Sequence, residues 1–275
     1  MIRLMKLAVL AVAVIGPCSL AAPMQVRADE ASAVAAREAE TNAARAKQIL
    51  RSMSDYISGQ KNVAAEFDLA LEAITPALEK IQFDSSGHML LSRPDKLHVS
   101  RTGGYSDVEL IYDGMIATVY SKSHGNFAQL EVPGSVDKLI DELMDKYGIV
   151  MPGADLLLSR PYDELIAGVL EARYIGRGVI DGTECEHLAF RNFDTDWQLW
   201  VELGDHPVPR KYVISTKTMA GAPQYTVHIR QWTGSGVPAG DAFTFKQPEG
   251  VKRVAFDALT DLDELPPSTS PQARK

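Results

Sequence analysis

Two side chains with the chemistry of catalysis or metal binding, Cys185 and His187, lie two positions apart in a segment that alternates like a β-strand. Residues two apart share a face of a strand, so the thiol and the imidazole lie side by side, opposite to Leu188 and Phe190. A thiolate beside a base is a nucleophile, and thiolate with imidazole is half of a zinc site. Either use requires further groups, and the sequence places none near this pair. A structural or surface role is therefore predicted for both residues.

The carboxylates and the remaining histidines give weak indications of chemistry. Asp194 and Asp196 flank Thr195 between two expected strands. Paired carboxylates can act in acid–base catalysis, but aspartate is also a common turn residue. The other histidines lack the HExxH-type spacing of a zinc protease: His88, His98, His124, His206 and His228. The sequence thus predicts a protein that is not an enzyme, with no catalytic residue, no metal and no cofactor.

The N-terminus has the features of a secretory signal peptide. Arg3 and Lys6 form a basic start, and Leu7–Ile15 is an apolar core too short to span a bilayer. The small-x-small site Val26-Arg27-Ala28 predicts cleavage after Ala28. The expected product is a soluble periplasmic protein of a Gram-negative bacterium.

Two alternatives exist for this leader. Cleavage near Ala21 or Ala22 is one. The other is a lipoprotein signal at Cys18, although Pro17 stands where that signal requires a small flexible residue. No other stretch approaches 18 apolar residues, so no transmembrane segment is predicted.

The charge of the chain excludes one class of partner. The net charge is −8, and removal of residues 1–28 takes away three basic residues and no acidic one, which lowers it to −11. Nucleic-acid binding requires a cationic face that displaces counterions, so no nucleic-acid partner is expected. Cys185 is the one cysteine left after cleavage, so no internal disulfide can support the fold.

The positions of apolar residues predict helices and strands in alternating blocks. Apolar residues recur every three or four positions within Glu30–Tyr56 and again within Ser135–Tyr147, which predicts two amphipathic helices. Strict alternation in Val63–Ala73 predicts a half-buried strand, and Ile81/Phe83 and Leu97/Val99 repeat this pattern. Further strands are expected at Val108–Tyr112, Met115–Tyr120, Ala172–Ile180, Cys185–Arg191, Trp197–Leu203, Arg210–Thr218, Gln224–Trp232 and Phe243–Phe245.

These elements predict an α+β fold with a single strongly curved antiparallel sheet of ten or eleven strands. A sheet of that size curls, and its apolar face needs the helices as cover, so the helices are expected on the concave side. The predicted organisation is a signal peptide at 1–28, a helix packed on the sheet at 29–60, an unclosed half-barrel domain at 61–255 and a disordered tail at 256–275.

The segment from Gly87 to Tyr120 resembles the opening half of the bacterial lipoprotein-carrier (LolA/LolB-like) fold. Its glycine is followed after five residues by Arg93-Pro94-Asp95-Lys96-Leu97, then by Asp113-Gly114 and an aromatic strand end. The end of the chain resembles the same pattern at Phe243-x-Phe245 and Pro248-x-Gly250. The resemblance implies an unclosed half-barrel whose helices act as a lid over an acyl-chain cavity.

A second resemblance is to a bacterial family of predicted periplasmic proteins, domain of unknown function 2092. It rests on Asp196-Trp197-Gln198-Leu199-Trp200, Pro209-Arg210-Lys211 and Gly221-Ala222-Pro223-Gln224-Tyr225. It implies a fold and a compartment, and it supplies no catalytic residues.

The expected function is the binding of a hydrophobic ligand, a lipid or a lipoprotein acyl chain, by a carrier or sensor. The helix Ser135–Tyr147 is expected to be its movable lid. An envelope adaptor with a filled core and an exposed apolar patch is the alternative, followed by a hydrolase of an envelope substrate. The side chains expected to line the cavity are Phe67, Leu69, Phe83, Leu97, Leu110, Tyr112, Leu139, Leu143, Phe190, Trp197, Leu199, Tyr225 and Val227.

Overall fold

The structure, a computed structural model, describes residues 22–234, 236, 238, 240–259, 262 and 265. The chain divides into two compact units, residues 1–40 and residues 41–275. Helix α1, Ala22–Ser58, begins in the first unit and ends in the second. The apolar core of the predicted signal peptide and Cys18 lie outside the described residues. The predicted cleavage point after Ala28 falls within α1, and cleavage there stays a prediction.

The second unit begins with the amphipathic part of α1. Ala46, Leu50, Met53 and Ile57 are fully buried, and their spacing of four, three and four residues places them on one stripe of the helix. The helix ends at Gly59, whose N–H donates to the Asp55 carbonyl at 3.1 Å. The predicted apolar stripe is therefore the face by which α1 packs on the sheet.

In the described part of the chain, twelve strands form one sheet, in the order β12-β6-β5-β4-β3-β2-β1-β11-β10-β9-β8-β7. Every neighbouring pair is antiparallel except β12 with β6, which is parallel. The sheet is unclosed, with β7 and β12 at its edges, and the predicted α+β fold class is confirmed. The strands are β1 Asn62–Ile74, β2 Lys80–Ser92, β3 Lys96–Gly103, β4 Asp107–Tyr112, β5 Ile116–Ser121, β6 Asn126–Glu131, β7 Glu171–Ile180, β8 Thr183–Arg191, β9 Thr195–Glu202, β10 Pro209–Thr216, β11 Gln224–Thr233 and β12 Lys252–Arg253.

The strand prediction needs two corrections. β6 and β12 were not expected, and the predicted strand Phe243–Phe245 is not a strand: Phe243 ends a turn, and Thr244 and Phe245 follow it in a loop. Phe243 is buried, and the ring of Phe245 lies 4.8 Å from that of Phe127. The alternation there serves packing of loop side chains against the sheet, which needs no ladder of backbone hydrogen bonds.

The sequence pair Asp113-Gly114 is typical of the centre of a two-residue turn, but the turn between β4 and β5 is shifted by one residue from that position. The Asp113 carboxylate accepts the N–H groups of Met115 and Ile116 at 2.9 and 2.8 Å, so Asp113 opens the turn and is not its first central residue. Gly114 occupies the left-handed region at φ 98°. The centre of the turn is therefore Gly114-Met115.

One face of the sheet, the inner face, carries the helices. Its side chains form two core clusters with them. The first cluster lies under α1 and α3, Pro161–Ile166, and includes Leu188, Phe190, Trp197, Leu199, Val201 and Tyr212. The second cluster lies under α2, Val136–Tyr147, and includes Leu91, Leu97, Tyr112, Leu139 and Leu143.

Helix α2 has the boundaries that the sequence predicts. The Ser135 hydroxyl accepts the N–H of Lys138 and caps the N-terminus. Gly148, at φ 65°, ends the helix, and its N–H donates to the Met144 carbonyl at 3.0 Å. None of the helices in the described part of the chain combines the length and apolarity that crossing a bilayer requires.

The chain after β11 passes from the outer face of the sheet to the inner one. The Ala242 carbonyl lies 2.8 Å from His98 Nδ1, and Phe245 packs on Phe127, both on the outer face. After β12, Phe256–Ala258 form a 3₁₀ helix and Leu259 is buried against Val119 and Ala128 of the inner face. The tail predicted to be disordered at 256–275 therefore begins with packed residues.

Candidate ligand-binding cavity

A cavity of about 240 Å³ lies on the inner face between the two core clusters. Its floor is formed by residues of β1 to β5 and β11, and its roof by Ile140 and Leu143 of α2 and by the segment 149–157, of which all residues but Asp155 line the cavity. A single water molecule needs roughly 10–15 Å³ of such space, so the cavity holds far more than a water. Of the described residues that line it, all but a few are apolar, and Arg101 and Glu109 are the charged ones.

The cavity brings together seven of the thirteen residues predicted to line it. They come from four strands and one helix, which bring side chains distant in sequence to one place. These seven residues are Phe67, Leu69, Leu97, Leu110, Leu143, Tyr225 and Val227. Their role in holding a ligand stays a prediction.

The other six predicted residues lie outside the cavity, which corrects the predicted lining. Phe83 lies near the start of β2, where its ring meets that of Tyr105 at 5.7 Å. The others belong to the filled core clusters: Tyr112, Leu139, Phe190, Trp197 and Leu199. Alternation in a strand shows which face a side chain lies on, but not where a helix already covers that face.

The roof of the cavity is fixed to the sheet by Arg93. Its Nη1 donates to the carbonyls of Leu157 and Leu158 at 2.6 and 3.1 Å. Burial lowers the pKa of Arg93, and the nearby Asp137 carboxylate acts in the opposite direction. The same carboxylate accepts a hydrogen bond from the Ser159 hydroxyl at 2.5 Å. Arg93 and Asp137 therefore both hold the end of the roof segment, Arg93 at Leu157 and Leu158 and Asp137 at Ser159.

Asp155 lies in the roof, in the 3₁₀ helix Ala154–Leu157. Burial raises its pKa to about 6, while hydrogen bonds from Tyr212 and the Leu156 N–H lower it in part. The Tyr212 hydroxyl donates to Asp155 Oδ2 at 3.0 Å, and burial raises the pKa of Tyr212. The cavity roof is thus joined to β10 by a hydrogen bond that involves a titrating carboxyl group.

Sequence reasoning missed Arg101, the cation of the cavity wall. Leu97, Val99 and Arg101 are alternate residues of β3, and all three line the cavity. A charged residue on an otherwise apolar alternation was the signal that could have identified it. Its Nη2 donates to the carbonyl of Leu262 at 2.7 Å and to the Ser106 hydroxyl at 3.0 Å.

The environments of Cys185 and His187 are those of packing residues. Cys185 is fully buried, and burial raises the pKa of its thiol, which disfavours the reactive thiolate. The His187 ring stacks on Trp200 with centroids 4.0 Å apart, and its Nε2 lies 2.9 Å from Gln198 Oε1. Within the described ranges, no group of three His, Cys, Asp or Glu residues is arranged to hold a metal ion.

The predicted family membership is confirmed by comparison with family models. Residues 46–257 match the family described as predicted periplasmic protein (DUF2092). The chain belongs to this family. A comparison with curated proteins finds no significant match.

Solved structures with a similar fold share little sequence with this chain. An uncharacterized conserved protein from Thermus thermophilus is 10% identical, with a TM-score of 0.45 over 77% of this chain and 99% of that one. LprF from Mycobacterium bovis is 14% identical, with a TM-score of 0.42 over 70% and 94%. A LolA superfamily protein from Nitrosomonas europaea is 11% identical, with a TM-score of 0.35 over 73% and 97%.

Proposed function

We propose that this protein binds a hydrophobic ligand, a lipid or the acyl chain of a lipoprotein, in the cavity on the inner face of its sheet. The observation that carries the proposal is the cavity itself: a space of about 240 Å³ with an apolar lining. Ligand sites in proteins are typically concave and mostly apolar, with a few polar groups that orient the ligand. Arg101 is such a group here, since it shares the inward face of β3 with Leu97 and Val99, whereas the carboxylate of Glu109 lies on the outer face beside Lys122.

An alkyl chain matches this cavity better than a polar ligand does. Each methylene group moved from water into an apolar site contributes about 0.8 kcal/mol. A polar group moved there without a hydrogen-bond partner costs free energy instead. The lining residues Phe67, Leu110 and Val227 offer no such partner, so the body of the ligand should be hydrocarbon.

The compartment fits a role as carrier or sensor of envelope lipids. The family is described as periplasmic, and the basic, apolar and small-x-small features of the leader support export with cleavage after Ala28. In that compartment, lipids and acylated proteins leave or enter membranes through water, where an acyl chain needs cover. We propose that the protein supplies this cover without catalysis.

Protein–protein binding is the second candidate, favoured by a specific surface. The edge strand β7 exposes Ile175 and Val179, and the loop after β8 exposes 88% of Phe193. Exposed apolar side chains at a sheet edge are a common attachment point for a partner strand. This surface is compatible with a ligand carrier that also binds an envelope protein.

Titration with a fluorescent fatty acid tests the proposal. We expect saturable binding at one site per chain and its displacement by unlabelled oleate. Val99→Phe, which places a larger side chain into the cavity, should weaken binding, whereas Val179→Phe, at an exposed position on the edge strand β7, should leave it unchanged. Absence of saturable binding, or equal binding by the Val99→Phe variant, would contradict the proposal.

A further inference from the structure

Four exposed apolar side chains lie at one end of the sheet. They occupy the turns that join β1 to β2, β10 to β11 and β8 to β9, and the position before β7: Leu78, Met219, Phe193 and Leu170. Each is more than half exposed. The strands β1, β11, β10, β9, β8 and β7 are consecutive neighbours in the sheet, and their register brings all four positions to the same end. We call these four residues the rim.

The rim is a row of separate apolar tips and not a continuous patch. Neighbouring strands lie about 4.8 Å apart, so turns that are two strands apart present their side chains roughly 10 Å apart. Charged residues such as Lys80, Asp194 and Lys217 stand between the tips along the chain. A protein partner needs a separate pocket for each tip, whereas the fluid interior of a bilayer accepts apolar side chains at any spacing.

The turn that carries Leu78 is well fixed, and a leucine is unusual in its conformation. The Leu78 N–H donates to the Thr75 carbonyl at 2.9 Å, and the Thr75 N–H donates to the Glu79 carbonyl at 2.9 Å. Leu78 has φ 63°, in the left-handed region that glycine adopts freely and that costs a leucine free energy. Neither the backbone conformation nor burial therefore explains an apolar side chain at this position.

The turn between β8 and β9 is joined to its neighbours in the row on both sides. The Asp194 carbonyl accepts the Lys217 N–H at 2.9 Å, which fixes this turn to the one between β10 and β11. On the other side, the Arg191 carbonyl accepts the Leu170 N–H at 2.8 Å. Three of the four tips are thus held relative to one another, so little conformational freedom is left to lose when they bind a surface.

The rim end of the sheet is nearly neutral in an acidic protein. The segments 72–80, 170–173, 191–196 and 217–223 contain five acidic and four basic residues, a net charge of −1, against −10 for the rest of the chain after residue 28. Three of the five carboxylates are paired: Glu72 with Lys80 at 2.9 Å, Asp196 with Lys217 at 3.0 Å and Glu171 with Arg173 at 3.3 Å. A surface of anionic lipids repels the rest of the chain more strongly than it repels this end, which orients the rim towards it.

The cavity extends towards the same end of the sheet. Its lining includes Val108 and Tyr225, each the second residue of its strand, β4 and β11. Both strands begin at the rim end. A lipid that leaves a bilayer beside the rim therefore has a short path to the cavity.

We propose that the rim docks on the surface of a phospholipid bilayer and inserts its four apolar side chains among the acyl chains. The basic side chains of the same turns then lie at the level of the lipid phosphates, because their long stems reach from an apolar surface to a polar one. This attachment is peripheral and reversible, since it buries side chains of turns and not a membrane-spanning segment. It goes beyond ligand binding, and either property can fail without the other, because the rim residues are not among the described residues that line the cavity.

Flotation with vesicles of phosphatidylethanolamine and phosphatidylglycerol tests the proposal on protein purified from the periplasm. The double variant Leu78→Ser, Phe193→Ser should partition onto vesicles at least about tenfold less, because two apolar anchors are lost. The matched control is Met115→Ser, Val179→Ser, which removes two side chains that are equally more than half exposed at the opposite end of the sheet. It should bind vesicles as the unaltered protein does, and both double variants should keep their melting temperature and their fatty-acid binding.

A fluorescent label reports insertion directly. Nitrobenzoxadiazole attached to Phe193→Cys should shift its emission to shorter wavelength when vesicles are added, and the same label on Met115→Cys should not. Cys185 is fully buried and does not compete for the label. Absence of vesicle binding, which is expected if Phe193 contacts a partner protein instead, would overturn the proposal, as would unchanged binding by the rim variant or equal shifts at both labels. Failure of the unaltered protein to bind fatty acid would overturn the proposed function alone.

Discussion

Filling the cavity should stabilise the protein, whereas the same substitution in the filled core should destabilise it. Val99 of β3 lines the cavity, and Val201 of β9 lies in the first core cluster with 1% of its surface exposed. Val99→Phe and Val201→Phe are therefore chemically identical changes in two environments that the structure distinguishes.

The magnitude follows from the space that is available. Phenylalanine adds roughly four carbon atoms to valine, and at about 0.8 kcal/mol per buried CH₂ group the upper limit of the gain is about 3 kcal/mol. Side-chain ordering offsets part of this, so Val99→Phe should raise the free energy of unfolding by about 1–2 kcal/mol. For a domain of this size, that raises Tm by roughly 2–8 °C. Val201→Phe should lower the free energy of unfolding by about 1–3 kcal/mol, the usual cost of overpacking.

Thermal melting followed by circular dichroism measures both effects, and titration with a fluorescent fatty acid measures ligand affinity on the same samples. The expected result is a Val99→Phe variant that is more stable and binds less, and a Val201→Phe variant that is less stable and binds normally. If Val99→Phe lowers Tm as far as Val201→Phe does, the space beside Val99 is closed and the cavity does not exist.

Four further substitutions test the roof of the cavity. Asp155→Asn should remove a pH dependence of stability. Burial raises the pKa of Asp155 from 3.8 to about 6, so the free energy of unfolding of the unaltered protein should fall by up to roughly 3 kcal/mol relative to the variant as pH rises from about 4 to 6. Thermal melts across that pH range measure this difference. Arg93→Met removes the donors to the roof carbonyls, and hydrogen exchange of residues 149–158 should accelerate at least about tenfold relative to β9. Because Leu139 is fully buried in the second core cluster, we expect α2 to be a fixed element and not the movable lid that the sequence suggested. Leu139→Asp should therefore unfold the domain, whereas Ile140→Asp, on the cavity side, should keep the fold and weaken fatty-acid binding. Normal melting of Leu139→Asp would contradict a fixed α2.

Alternation and helical periodicity were sufficient to predict most elements of the fold. The buried stripe of α1, the cap of α2 at Ser135 and the strand β1 each follow from local spacing. Short elements were harder: β12 has two residues, and nothing in Lys252-Arg253 distinguishes it from a loop. It forms only because β6 offers an open edge beside it.

The sequence predicted an apolar cavity on the inner face of the sheet, but only part of its lining. Phe67 and Trp197 carry the same sequence signal, an aromatic side chain on the inward alternation, yet Phe67 lines the cavity and Trp197 packs in the first core cluster. The difference arises from where α1 lies across the sheet, which is a tertiary property. The contact of Arg101 with the Leu262 carbonyl joins residues 161 positions apart, which local patterns do not contain.

Native mass spectrometry of the protein purified from its own periplasm tests the central claim most directly. Gentle ionisation keeps a ligand that is buried in an apolar cavity, and denaturation releases it for identification. We predict that a fraction of the protein carries the mass of one lipid and that Val99→Phe carries less. Protein that is uniformly free of bound lipid, and that also fails to take up added oleate, would contradict the account.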